Sequence, residues 1–217
     1  MRPFVRDEGP GYVAHLEAPE RAVLIEVVDS VIDLVGDGQA AVEPPLDAAE
    51  DPEIGPDVWQ GLAVPPGPVE APRDPALRRL LPDASLDPDQ AAELRRLTEG
   101  TVRGTKIAQL RRLRAAVDAA RPHLVVVPSE APSCAAAMTD LRLVLAERLG
   151  LRTDEDAEEV YALAVATSRP VDDVDANRRF VAAVYAVLTD LQESLVQAMV
   201  AELPPPRRGR GLGSARE

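Results

Sequence analysis

The sequence predicts a mainly α-helical α+β domain: a helical body with a small antiparallel sheet. Three observations lead there. Apolar residues recur at helical spacing over several long stretches, β-branched extended runs are short and few, and aromatics make up only 3% of the chain. A core built from Ala, Val and Leu suits closely packed helices. The chain has 217 residues, 46% of them apolar, enough to bury a sizeable core.

The first element is a hairpin. Two extended runs, Pro3 to Arg6 and Tyr12 to Leu16, flank Asp7-Glu8-Gly9-Pro10-Gly11, whose glycines and proline supply turn geometry. Pro19 and Glu20 then open a helix carrying Leu24, Val27, Val28, Val31 and Val35 on one stripe up to Gly36. Residues 37–72 follow as an acidic, proline-rich insertion with too few apolar groups to offset the entropy of ordering it. Its one aromatic, Trp59, either docks on its own domain, stays exposed, or anchors a partner. From residue 73 to 203 the helical body resumes.

Asp74-Pro75 begins a short helix through Leu81, and Asp87-Pro88 caps a longer one running toward Ala120. The stripe of the longer helix slips from Leu94, Leu97 and Thr101 to Leu110, Leu113 and Val117, with Gly100 and Gly104 between, so a kink or break is expected there. Leu124 to Val127 reads as a strand that pairs with the hairpin. Ser129 is the expected cap of the next helix, which Gly150 ends. Acids at Asp154, Glu155, Asp156, Glu158 and Glu159 open a weaker helix, and Asp172 to Leu203 is a long amphipathic one. Residues 204–217 are a basic, glycine-rich tail without periodicity.

Formal charge is −13, which argues against broad direct DNA binding and against anionic membrane surfaces. No stretch approaches a membrane span and no leader is readable at the start, so a cytoplasmic protein is expected. The charge is unevenly spread: nine acids and one base lie between Gly36 and Pro75, eight bases and two acids between Arg95 and Arg121. On a continuous helix Arg96, Arg103, Arg114 and Arg121 share a face, at 100° per residue. That face is either a solvated one pairing with the protein's own acidic linker or a dock for an acidic partner or a phosphate backbone.

No nucleophile elbow, phosphate loop, zinc-protease or calcium-loop motif is present, and no cofactor is expected. His15 and His123 are too few, with one cysteine, for a Cys₄ or Cys₂His₂ zinc site. The acid pairs read as helix starts rather than acid–base or metal groups. Cys134, the single cysteine, excludes a disulfide within the chain. Its spacing to Met138, Leu141 and Leu145 places the sulfur on an apolar stripe, whereas its position early in a helix favours ionisation. An inert core thiol and a reactive or intermolecular one are both compatible with that.

Several blocks carry a family resemblance: Gly11-Tyr12-Val13-Ala14 with Glu20-Arg21-Ala22-Val23-Leu24; Asp74-Pro75-Ala76-Leu77-Arg78-Arg79-Leu80-Leu81-Pro82-Asp83-Ala84 with Glu93-Leu94-Arg95-Arg96-Leu97-Thr98-Glu99; Asp140-Leu141-Arg142-Leu143-Val144-Leu145 with Arg148-Leu149-Gly150; and Leu191-Gln192-Glu193-Ser194-Leu195-Val196. The chain resembles the actinobacterial oxidative stress regulator AosR family, formerly catalogued as a domain of unknown function. The resemblance implies a non-enzymatic regulator that responds to oxidants and acts on transcription through a protein partner. It also suggests an alternative role, as an adaptor or scaffold in regulated proteolysis. A sensor that closes a disulfide within one chain needs two cysteines, so no redox motif carries over. Within the matching blocks Asp140, Arg142, Gln192 and Glu193 are polar residues in otherwise apolar helices; they either bond helix to helix or, with Arg96, Arg103 and Arg114, form a partner-binding surface.

Overall fold

The computed structural model describes residues 1–6, 9, 11–36, 69–166 and 172–203. Its described part comprises a three-stranded antiparallel sheet and six helices, the α+β, mainly α arrangement that the sequence predicts. Trp59, most of the acidic insertion and the basic tail lie outside the described residues.

Strands β1 (Arg2–Arg6) and β2 (Tyr12–His15) form the expected hairpin, with a register shift between Arg2 and Val5. Strand β3 (His123–Val126) pairs with the other edge of β2, from Tyr12 opposite Val126 to His15 opposite His123. The central strand is therefore β2. Gly11 enters it so close to β3 that a β-carbon would sit 2.5 Å from the Val126 carbonyl oxygen, which only glycine avoids.

Helix α1 (Ala18–Gly36) buries Leu24, Val28, Val31 and Val35, the predicted stripe. Helix α2 (Pro75–Leu80) is capped by Asp74, whose carboxylate accepts from the Ala76 and Leu77 amides. Asp87 does the same for α3 (Pro88–Ala119). Helix α4 (Ala131–Leu149) starts after Glu130, which makes no side-chain cap bond; Ser129 is not its cap, because the chain already turns through Val127, whose carbonyl accepts from the Glu130 and Ala131 amides. At its other end Gly150 takes the left-handed conformation at φ 78°. Helix α5 (Asp154–Ala164) begins with a reciprocal capping box between Thr153 and Asp156. Helix α6 (Asp173–Ala201) is capped by Asp172 and buries Val184, Leu188, Leu191 and Leu195.

The predicted kink in α3 is absent: the helix is continuous for 32 residues. Its two glycines are exposed, and a β-carbon at either would meet nothing within 4 Å. The inward stripe does not slip. It runs through Ala91, Arg95 and Arg103 to Leu110, Leu113 and Val117, so the first half of the stripe is charged, a pattern that hydrophobic periodicity does not register.

Helix α4 is the centre of the body, packed against α2, α3 and α6, while α1 lies along α3 and β1 along α6. Alanines at the contacts, with Ala131, Ala137 and Ala182 wholly buried, let the helices approach closely without aromatic filling. The void between Val28, Leu113, Met138, Leu141 and Leu188 is apolar and only about 10 Å³, room for a single water at most.

Two substitutions separate these roles. Gly11→Ala should destabilise by about 1–3 kcal/mol through overpacking against Val126, whereas Gly104→Ala should stabilise by about 0.5–1 kcal/mol by improving a helix interior in open space. Urea melts of the two variants beside the parent chain check both signs; a neutral Gly11→Ala would contradict the packing described.

Candidate interaction surface

The continuous α3 organises the charged residues singled out from the sequence. At its core-facing side Glu99 lies between two arginines one turn away in each direction. Arg95 Nη1 approaches Glu99 Oε2 at 2.9 Å, and Arg103 Nη2 approaches Glu99 Oε1 at 2.7 Å. Each arginine also reaches a helix end. Arg95 donates to the Leu81 carbonyl, where α2 terminates, and to Asp83 Oδ1 at 2.6 Å. Arg103 Nη1 donates to the Val35 carbonyl in the last turn of α1 at 2.5 Å. Unsatisfied carbonyls at helix C-termini carry partial negative charge, so guanidinium groups are suited to closing them. Burial opposes the charge on Arg95, but its bonds to Glu99 and Asp83 outweigh that and raise its pKa.

Further along, Lys106 Nζ meets Asp140 Oδ1 of α4 at 2.6 Å, and Arg114 Nε meets Asp29 Oδ1 of α1 at 2.5 Å. Asp140 is buried with Oδ2 lacking a partner, and burial raises its pKa despite Lys106. Arg96 makes a two-pronged contact with Glu93, while Arg121 donates to the Asp118 and Ala120 carbonyls. Of the four arginines on this face, Arg103 is only 7% exposed and bonds α1, as does the partly exposed Arg114, whereas Arg96 pairs at the surface within α3 and Arg121 is exposed.

The polar residues of α4 and α6 meet across their seam. Arg142 Nη1 donates to Gln192 Oε1 at 2.6 Å, and its guanidinium lies over the Tyr185 ring, 5.5 Å from the centroid. Gln192 Nε2 in turn donates to the Ala135 carbonyl and Thr139 Oγ1. Glu193 is exposed and accepts from Gln197 on its own helix. His15 and His123 face each other across β2 and β3 with centroids 5.6 Å apart; among the described residues no group of three or more His, Cys, Asp or Glu side chains is placed to hold a metal.

Cys134 lies in the core with Met138, Leu141 and Leu145, as its spacing predicts, and is 7% exposed. Burial, reinforced by the nearby Glu130 carboxylate, pushes its pKa up to about 12. The thiolate needed for reaction with oxidants is therefore scarce at neutral pH.

What periodicity missed is the opposite face of α3. Leu94 and Leu97 point outward, at 38% and 47% exposure, while Val102, seven residues after Arg95, lies at the margin of the inward stripe and is also partly exposed. Between them the Thr98 and Thr105 hydroxyls donate to the Leu94 and Thr101 carbonyls one turn back, so those polar atoms are already occupied. Gly100 and Gly104 border this face with open space over both. The available sequence signal was the run Arg95, Glu99, Arg103 at i, i+4 and i+8: alternating charge at that spacing can fill an inward stripe, leaving leucines outside it.

Glu99→Gln leaves two buried guanidiniums without their shared counter-charge and should cost about 3 kcal/mol, whereas Asp83→Ala at the exposed end of the same network should cost less than about 1 kcal/mol; chemical denaturation of both variants tests the ranking. Cys134 should resist iodoacetamide at pH 8 in the folded protein and react promptly in denaturant. Fast native labelling would contradict its burial.

A search of curated proteins returned no match, and a search of solved structures returned none. The family whose model does match is described as Domain of unknown function (DUF2017), over residues 1–199. With that match spanning nearly the whole sequence and every element of the fold except the last residues of α6, the chain belongs to the DUF2017 family.

Proposed function

We propose that this protein is a non-enzymatic regulator that acts on transcription by binding a protein partner, in the manner implied by its resemblance to the oxidative stress regulator AosR family. The observation that carries the reading is the inversion of α3. Arg95 and Arg103 are buried with Glu99 largely covered between them, while Leu94 and Leu97 are held outward on a continuous 32-residue helix. Exposed leucines on a fixed helix, beside threonines whose hydroxyls are already bonded, form a face suited to an apolar helix of another protein. The two glycines at its border allow a partner backbone to come close.

Oxidant sensing in this reading is assigned to the partner, because Cys134 is the single cysteine and lies in the core. Arg103 and Arg114 are engaged with α1 and Arg142 with Gln192, so in this reading the outer leucines make the main partner contact, with Glu193 on a separate exposed surface.

The chain should co-purify with a component of the transcription machinery from oxidant-stressed cells. Leu94→Glu with Leu97→Glu should reduce that recovery at least about tenfold while leaving helical circular dichroism unchanged. Recovery of protease subunits in place of transcription components would move the protein to the adaptor role, and equal recovery with the double variant would remove the α3 face from the account.

A further inference from the structure

A second set of arginines, apart from α3, surrounds a cleft. Arg73 precedes α2, Arg78 and Arg79 lie on it, and Arg152 comes from the turn between α4 and α5. Together they line an open hollow of about 540 Å³. One carboxylate stands among the four guanidiniums. Glu147 of α4 is 2.7 Å from Arg79 Nε and accepts from both terminal nitrogens of Arg152, at 2.6 and 2.9 Å. It is thereby a bracket: both carboxylate oxygens hold the two arginines beside the hollow, and Arg152, with Arg79, keeps its pKa below the usual range. Arg79 is further fixed by donating to the Leu151 carbonyl.

Arg73 and Arg78 are different. Both are exposed, and neither has an ion-pair partner among the described residues. The nearby acid Asp74 is already engaged, capping α2 with one oxygen and pairing with Arg148 at 2.7 Å through the other. In a chain of net charge −13, four guanidiniums therefore line the hollow with a single carboxylate, Asp156 lying behind Arg152 and accepting from its backbone amide. The uncharged part of the lining is Pro75 and Pro82, which supply no aromatic face for a base and no deep apolar slot for a peptide side chain. Recognition here must come from charge and from forked N–H donors, which match phosphate oxygens in pairs. A hollow of this size suits a small molecule, and a compact anion bearing several charges engages all four arginines within it better than an extended peptide whose carboxylates are spaced along a backbone.

We propose that the cleft between α2 and the α4–α5 turn binds a small anion carrying a chain of two or more phosphates, with Arg73 and Arg78 as the open donors and Glu147 setting the positions of Arg79 and Arg152. This site is separate from the outer face of α3 and does not depend on the regulatory reading. A phosphate chain occurs both in inorganic polyphosphates and in the tails of nucleotides, and the test distinguishes these sources.

Titration calorimetry of the full chain with tripolyphosphate should show saturable one-to-one binding that weakens as salt rises. Arg73→Ala and Arg78→Ala should each weaken it about tenfold, the size expected for losing a charge-assisted hydrogen bond, with unchanged circular dichroism since neither side chain supports the fold. A nucleoside triphosphate binding no tighter than tripolyphosphate assigns the cleft to the phosphate chain itself. Tighter binding by the nucleotide, with the bare nucleoside inert, assigns it to a nucleotide tail. The proposal is overturned if tripolyphosphate fails to bind at millimolar concentration, if a glutamate peptide of equal charge binds as tightly, or if the two alanine variants bind as the parent does.

Discussion

The whole arrangement depends on Glu99 being shared by Arg95 and Arg103. A carboxylate and two guanidiniums removed from water would each be costly alone, and they are tolerable because their charges and donors are matched at hydrogen-bond distance. The outer ends of the same guanidiniums reach the last turns of two other helices, at Leu81 and Val35. One three-residue ladder on α3 therefore fixes where α1 and α2 end relative to it. With the ladder inward, Leu94 and Leu97 have nowhere to point but outward. The exposed leucines follow from the buried charges, and the two observations are one fact about the rotation of a helix.

Much of the fold was legible because capping and periodicity are local. Asp74, Asp87 and Asp172 announce helix starts by residue type alone, Gly150 announces an end, and the stripes of α1 and α6 repeat without interruption. The strand at Leu124 was found within one residue of its observed start. Reading α3 failed for a physical reason: apolar periodicity assumes that the buried stripe is apolar, and here half of it is ionic. With Leu94 and Leu97 read as the buried stripe, the change of phase before Leu110 and the two glycines between looked like a break. The arginine cleft was illegible for another reason, since Arg73, Arg78, Arg79 and Arg152 are brought together only when the α4–α5 turn meets α2 in space.

The charge asymmetry noted in the sequence takes on a different meaning in three dimensions. Most of the bases in the stretch from Arg95 to Arg121 hold neighbouring helices or carbonyls and offer little to an outside anion. The seam from Arg142 to Gln192 is similarly engaged, joining α4 to α6 through a bidentate amide. Exposed positive charge remains at Arg111 and Arg112 of α3 and at Arg73 and Arg78 beside and on α2, a six-residue helix that compositional counting passes over. Overall net charge is thus a poor guide to where an acidic molecule can receive anions.

Strands β1 and β2 depend in turn on α6 and the residue that caps its end. The Phe4 amide donates to Ser194 Oγ, Arg6 pairs with Glu202, and the Tyr12 hydroxyl donates to the same carboxylate at 2.8 Å. The contacting residues are separated by 190 positions in two of these bonds. During synthesis β1 emerges long before α6 exists to cover it, so the outer edge of the hairpin stays uncovered until α6 has been made. Closure of the fold brings α6 back onto β1, and a product lacking α6 would display an open sheet edge available to other chains.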